Sequence, residues 1–299
     1  MYFPFIIAKQ FDIDALNEID LKYYKKFIPV IIPKDIKNCK KNVAKLAAKN
    51  IKFILVLNCG KKNYPTMKEV VDNFINDALS EYENYSIAYV IKESTRKVQI
   101  ERYLNTFPNF EKSLIHQFEF TDTSYIKGLN NIEYNFYNIK SVDENYIVET
   151  SNNNTVLIND GFNKQKRNVD YPKQSDFLSK YYNYKKNSVT GFGDYTIIGD
   201  GDSTGFAAFA VALHLTVIKK PNIFIYHFAS DDKDGQKNIG RKYLYAVGEL
   251  IKFVDQNKIF NTSGIDGFRN NFDTKHYPGL GIAKKYSIKN HIEQIVNVI

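Results

Sequence analysis

Between Phe3 and Asp194 the chain repeats one pattern: a short run rich in Ile, Val, Leu and aromatic residues, then a polar stretch in which apolar residues return at helical spacing. The runs are FPFIIA (3–8), FIPVIIPK (27–34), IKFILVLN (51–58), SIAYVIKE (86–93), SLIHQFEF (113–120), IEYNFYNI (132–139), TVLIND (155–160) and SVTGFGD (188–194). Runs apolar on both faces suit strands covered on both sides, as a parallel sheet requires. The stretches between them supply the covering helices. Phe11, Ala15, Leu16 and Ile19 share one face, Val43, Leu46 and Ala47 another, and Met67, Val70, Val71, Phe74, Ile75 and Ala78 a third, begun by Pro65 and Thr66. TRKVQIERYLNTF (95–107) predicts a fourth helix, Thr121 to Leu129 a short helix or turn, and SVDENYIVETSNNN (141–154) is too polar and irregular to assign. Strand and helix in alternation predict a parallel sheet with helices outside, and eight strands are the number that closes an α/β, (β/α)8 TIM-barrel-like fold. An open doubly wound sheet is the competing solution, disfavoured because no GxGxxG turn follows the first strand.

Beyond residue 203 the pattern changes. FAAFAVALHLTVI (206–218) and NIFIYHFAS (222–230), joined by Lys219, Lys220 and Pro221, predict a C-terminal β-hairpin. A helical extension follows: Lys237 to Lys258 with Tyr243, Ala246, Val247, Leu250, Ile251 and Val254 inward, then shorter segments over 263–274 and 284–298 around the Pro278–Gly281 turn. The expected organisation is a single compact unit, with a barrel core over 1–202 and the hairpin and helices of 203–299 packed on it.

Composition narrows the function classes. With 43% hydrophobic residues, 15% aromatic and no Trp, the chain is globular. Its 41 basic and 33 acidic residues give a net charge of +8, which permits attraction to nucleic acid or an acidic partner. The lysines are spread along the predicted helices, however, as on a solvated surface, and the dense basic runs are confined to Lys22–Lys26, Lys40/Lys41 and Lys164–Arg167. Cys39 and Cys59 form no CxxC pair, which points to a reducing cytoplasm. MYFPFIIAKQF has no basic n-region, and Lys9 breaks its apolar run, so neither a signal peptide nor a membrane span is expected.

In parallel barrels the βα loops converge at the C-terminal ends of the strands, and chemistry sits there. That rule nominates Lys9 and Gln10, Lys34, Asn58, Lys92 and Glu93, Asp160, and Asp194 with Tyr195. Two carboxylates, several amines and an amide at one mouth can polarise a substrate, grip a phosphate or hold a divalent ion. The same side chains can also cap helices and brace loops. DGFNKQKRNVDY (160–171) gathers Asp160, Lys164, Lys166, Arg167, Asn168 and Asp170. Arg167 suits bidentate recognition of phosphate or carboxylate; alternatively it pins the loop through Asp170 or Asp194. GDGDSTGF (199–206) lacks both the GK[ST] of a P-loop and the distal glutamate of an EF-hand, and reads as an acidic loop over the mouth. His214 and His227 fall in facing strands of the hairpin, as an acid/base pair, part of a metal site with an aspartate, or hydrogen-bonded core residues. Cys39 and Cys59 lack any local activating context for a Cys/His nucleophile.

MYFPFIIAKQFDIDAL, LINDGFNKQKRNVDY, GFGDYTIIGDGDS, AVALHLT, IYHFASD and HYPGLGIAKK followed by NHIE, in this order, resemble a bacterial family related to the phage-associated beta family proteins. The resemblance spans essentially the whole chain. It implies a barrel-like α/β architecture, a phage-defence or mobile-element setting, and a neighbouring gene resembling a restriction-type nuclease. Its motif positions are Lys9, Gln10, Asp160, Arg167, Asn168, Asp170, Tyr171, Asp194, Tyr195, His214, His227, Ser230, His276 and His291. One departure is Pro33-Lys34 at the end of the second strand, where such relatives carry a glutamate.

Two functional expectations follow. In the first, a cytoplasmic barrel protein of a phage-defence or mobile-element module recognises a ligand or a protein partner, such as a nuclease subunit, at its mouth. In the second, an enzyme acts on a phosphate-bearing substrate, a nucleotide or phosphodiester, by hydrolysis. There Asp160, Asp194 and His227 are catalytic, and Lys9, Gln10, Asn58, Arg167, Asn168, Tyr195 and His214 bind ligand. No cofactor is specified by the sequence, and a divalent metal enters only through the two carboxylates. Direct nucleic-acid binding rests on the +8 charge alone, without a recognisable motif.

Overall fold

A computed structural model of the chain describes residues 1–61, 63–151, 154–179, 189–199, 209–233 and 235–299. The strands are β1 (Tyr2–Ala8), β2 (Val30–Pro33), β3 (Phe53–Val56), β4 (Tyr85–Ile91), β5 (Lys112–His116), β6 (Asn135–Asn138), β7 (Thr155–Ile158), β8 (Gln174–Leu178), β9 (Gly191–Asp194), β10 (Ala212–Lys219) and β11 (Asn222–Ala229). Eight of them close a parallel barrel in the order β1-β2-β3-β4-β5-β6-β7-β9. The helices between the barrel strands are α1 (Gln10–Glu18), α2 (Ile36–Ala48), α3 (Met67–Val70), α4 (Lys97–Thr106), α5 (Thr123–Lys127) and α6 (Glu144–Thr150). The fold is α/β, (β/α)8 TIM-barrel-like, with C-terminal helices α7 (Ile239–Asn257), α8 (Ser263–Asp273) and α9 (Leu280–Val298).

The chain divides into two compact units. The first holds residues 1–13, 24–160 and the strand ending at Asp194; the second holds residues 14–23, the segment from Gly161 that includes β8, and residues 195–299. Among the described residues the chain passes between the units at Ile13/Asp14, Tyr23/Tyr24, Asp160/Gly161 and Asp194/Tyr195.

Pairing register fixes which barrel side chains face the interior. Phe5 pairs with Val30, Val30 with Ile54, Ile54 with Ser86, Ala88 with Ser113, Ile115 with Phe136, Phe136 with Val156, Val156 with Gly191, and Gly193 with Phe3. Residues paired side by side in parallel strands share a face. Phe3 and Phe5 meet Phe136 edge to face at 5.2 and 5.5 Å, although β1 and β6 are not neighbours, so this face is the barrel interior. The two glycines of β9 make room for those rings. A Cβ on Gly193 would stand 2.6 Å from the Phe3 carbonyl oxygen and 3.2 Å from Cε2 of Phe5; one on Gly191 would stand 2.9 Å from Cε2 of Phe3. The GFG of β9 is thus a packing device.

Several boundaries differ from the sequence expectation. The strand expected over 113–120 is shorter: β5 ends at His116, Gln117 adds one more backbone bond to β4, and the chain then leaves the sheet. The helix expected from Pro65 starts with a capping box between Thr66 and Glu69 but passes into a π-helix over Val71–Ala78. The unassigned polar stretch contains α6, begun by Asp143, whose side chain accepts from the Asn145 N–H. The hairpin β10–β11 is formed and gains a third strand, β8, in the order β10-β11-β8. β8 escaped notice because its QSDFL sequence leaves most of its residues partly or fully exposed.

In the second unit one face of this sheet, carrying Leu213, Leu215 and Val217, forms a core with Tyr243, Val247 and Leu250 of α7 and Phe268 of α8. The NHIE run of α9 is structural. Asn290 donates to the Thr216 carbonyl (3.1 Å), His291 Nδ1 meets Thr216 Oγ1 (2.7 Å), and Glu293 accepts from the Ser263 N–H at the start of α8 (2.6 Å). Burying this much polarity is tolerable because these groups are hydrogen-bonded.

Candidate functional site

The C-terminal rim of the barrel is set by the last paired residue of each strand. Asn138, the last residue of β6, lies on the interior face with its register partner Ile158. Gln117 continues β5, its N–H bonded to the Ile91 carbonyl (3.1 Å), and falls in the same inward phase as Ile115. These two amides join: Asn138 Nδ2 donates to Gln117 Oε1 at 2.8 Å. Lys34, Lys92 and Asp160 follow β2, β4 and β7 in the inward phase of alternation.

The loop after β3 holds two of the lysines in place. Lys34 Nζ sits over the Tyr64 ring, 3.6 Å from its centroid. Lys92 lies against Gly60, where an added Cβ would fall on its ammonium. A side chain at residue 60 would displace that amine, and Gly60 also has φ +66, a conformation that L side chains rarely adopt. Burial lowers the Lys92 pKa, opposed by the neighbouring Cys59 thiol, which raises it. Lys92 thus gives up its proton more readily than a solvated lysine.

The other residues nominated from sequence at this rim are placed as follows. Lys9 lies between β1 and α1, its carbonyl accepting from the Asp12 and Ile13 N–H groups. Gln10 is exposed, and its carbonyl accepts from Asn42 Nδ2 (3.2 Å). Asn58 extends the sheet: its side chain donates to the Val90 carbonyl (3.1 Å) and accepts from the Val90 N–H (2.6 Å), so its amide is engaged by β4 backbone. Asp160 accepts from Lys140 Nζ at its backbone carbonyl.

Asp194 emerges at the same end as Asp160 but on the opposite face of the sheet. Its register partner is Pro4, whereas the inward residue of β9 is Gly193. It is 0% exposed and accepts from Tyr2 Oη at 2.8 Å. Burial, together with the Asp194 charge, holds the Tyr2 hydroxyl well above its usual pKa. The expectation that both carboxylates face one mouth is therefore corrected: β9 places glycine inward and the carboxylate outward.

Tyr195 opens the second unit and is 2% exposed. In that unit Arg167 is gripped bidentately by Asp170, at 2.9 and 2.6 Å, the loop-pinning alternative foreseen for it. Asn168 donates to the Ala210 carbonyl (2.6 Å). His214 and His227 are partners across β10 and β11, with Nδ1 to Nδ1 at 2.8 Å. Of the remaining motif positions, Ser230 bonds the Val211 N–H (3.1 Å), and the His276 N–H bonds the Asn271 carbonyl. The GDGDSTGF loop lies outside the described residues apart from Gly199.

Among the described residues no three His, Cys, Asp or Glu side chains are grouped to hold a metal ion, and no helix is long and apolar enough to cross a membrane. Sequence reasoning missed Gln117 and Asn138 because both lie inside runs read as continuous strands. Their signal was a side-chain amide interrupting each apolar run, comparable to the Asn58 that ends its own. No family model, curated protein or solved structure matches the chain.

Proposed function

We propose that the protein binds a small anionic ligand, bearing phosphate or carboxylate, at the C-terminal mouth of its barrel. The observation that carries this reading is the chemistry of the rim. Lys9, Lys34 and Lys92 each directly follow a strand, against one inward-phase carboxylate, Asp160, and the Gln117–Asn138 amide pair continues the register next to Lys92. Ammonium groups supply the charge for an anion, and amides supply orientation without adding charge. The N-termini of helices following the strands add partial positive charge at the same end. The setting we infer from the family resemblance is a phage-defence or mobile-element module, with a nuclease-like protein as partner.

Two experiments test this reading. In a thermal-shift titration with phosphate, pyrophosphate and citrate, at least one anion stabilises the wild type, and Lys34→Met combined with Lys92→Met removes the shift. An anion response retained in that double variant removes the site. For the setting, the protein co-purifies with the product of its neighbouring gene and lowers phage plating; a lone protein with no effect on plating removes it.

A further inference from the structure

The second unit carries a hydrogen-bonded relay that the barrel reading does not use. Ser175 Oγ stands 2.8 Å from His227 Nε2, and His227 Nδ1 stands 2.8 Å from His214 Nδ1. Three adjacent strands supply one residue each: β8 gives Ser175, paired with Ile225, and β11 and β10 give His227 and His214, paired with each other. All three side chains lie on the sheet face opposite the Leu213–Leu215–Val217 core, by strand alternation.

Both contacts are satisfied by one proton arrangement, in which the Ser175 hydroxyl donates to His227 Nε2 and His227, carrying its own proton on Nδ1, donates to His214 Nδ1. That is the tautomer of a general base: an unprotonated Nε2 facing a hydroxyl, and an Nδ1–H held by an acceptor behind it. Both imidazoles are kept neutral at pH 7. Burial lowers His214 to about 3, helped by repulsion from His227, and burial lowers His227 to about 4.

The surroundings hold this geometry. Tyr171 stacks on His227 at 4.7 Å and meets His214 edge-on at 4.7 Å, and among the described residues it is the titratable side chain in ring contact with the pair. Phe162 packs on His214 at 5.1 Å. Gly161 lets the chain before Phe162 close onto β8, since a Cβ there would fall 1.9 Å from the Phe177 carbonyl oxygen. Ser175 itself is only half-buried, on the edge strand of the sheet.

We propose that Ser175 is a nucleophile activated by His227, with His214 as the positioning residue, and that the relay cleaves carboxylic esters that reach the half-buried Ser175 at the edge of the sheet. In the step, Oγ bonds to the acyl carbon while its proton passes to His227 Nε2. The C–O bond to the leaving alcohol breaks, and the alcohol departs with that proton. Water then adds to the acyl-serine, giving its proton to His227, and Ser175 leaves with the proton returned, releasing the acid. Atoms and charge balance with water as co-reactant.

The test is covalent labelling of the full chain by a fluorophosphonate, which bonds phosphorus to an activated serine Oγ with loss of fluoride. One adduct per chain is expected, on the peptide holding Ser175. Ser175→Ala abolishes it, and His227→Gln slows it by roughly 100-fold or more, the usual scale for a lost general base. His214→Asn, which keeps an acceptor for His227 Nδ1–H, labels faster than His214→Leu, which has none. His214→Asp, by placing a negative charge beside His227, moves the acid limb of the labelling rate to higher pH, which a purely packing role would not do. Circular dichroism confirms that each variant is folded. A folded wild-type protein with no adduct at Ser175, or a folded His227→Gln variant that labels at the wild-type rate, overturns the proposal.

Discussion

His116 ties the barrel's stability to pH, and the size of the effect follows from its surroundings. It ends β5 on the outward face, is 0% exposed and stacks on Tyr137 with centroids 4.4 Å apart. Its Nδ1 meets Tyr146 Oη at 2.8 Å and its Nε2 meets Asn135 Oδ1 at 3.2 Å. Burial lowers its pKa to about 4 from 6.5, with the Asn135 hydrogen bond opposing the shift. Above 6.5 the ring is neutral in both folded and unfolded chains. Between 6.5 and about 4 the unfolded chain takes up a proton that the folded one refuses, so stability falls as pH falls; below about 4 the difference is constant. At about pH 5 the unfolded chain's proton uptake alone costs about 2 kcal/mol of folding stability, with about 3 kcal/mol as the full loss. Urea unfolding at about pH 7.5 and about pH 5, on wild type and on His116→Gln, isolates the term, because the variant cannot titrate there. The wild type should lose about 2 kcal/mol more than the variant across that interval. Parallel losses in the two proteins would refute the reasoning that burial keeps this ring neutral.

Two further predictions concern β9 and one a helix. Gly193→Ala should destabilise the barrel by about 1–3 kcal/mol, read from the urea midpoint, because its Cβ meets the Phe3 carbonyl oxygen at 2.6 Å. Tyr2→Phe should cost about 1.5–3 kcal/mol in the same assay, since the buried Asp194 carboxylate loses a charge-assisted hydrogen bond. Gly240→Ala in α7 should instead stabilise by about 0.5–1 kcal/mol, because its Cβ meets the Tyr277 ring no closer than 3.6 Å and a helix favours alanine.

Much of this architecture was written in periodicity. Each of the eight barrel strands falls within or overlaps an apolar run, because strands covered on both faces are uniformly apolar and announce themselves. Where that signal fails, reading fails with it. β8 is mostly partly or fully exposed, so QSDFL resembles a loop, and only its pairing with β11 makes it a strand. Site residues were harder still. That Asp194 would emerge at the barrel's C-terminal end followed from strand order, but which face it takes depends on a one-residue choice of register. The glycines at 191 and 193 settle that choice, because the Phe3 and Phe5 rings leave no interior space beside them. Ser175 had no sequence signal, since nothing in QSDFL tells that its hydroxyl will meet a histidine fifty-two residues later.

The central claim is that lysines at the barrel mouth form an anion site, and isothermal titration calorimetry with pyrophosphate tests it most directly. Wild type and Lys68→Met, a change at a helix lysine with 85% of its side chain exposed, should bind alike. Lys34→Met and Lys92→Met should each weaken binding by roughly tenfold, as loss of one charged hydrogen-bond donor implies. Equal affinity in all four proteins, or no heat from any of them, would contradict the account.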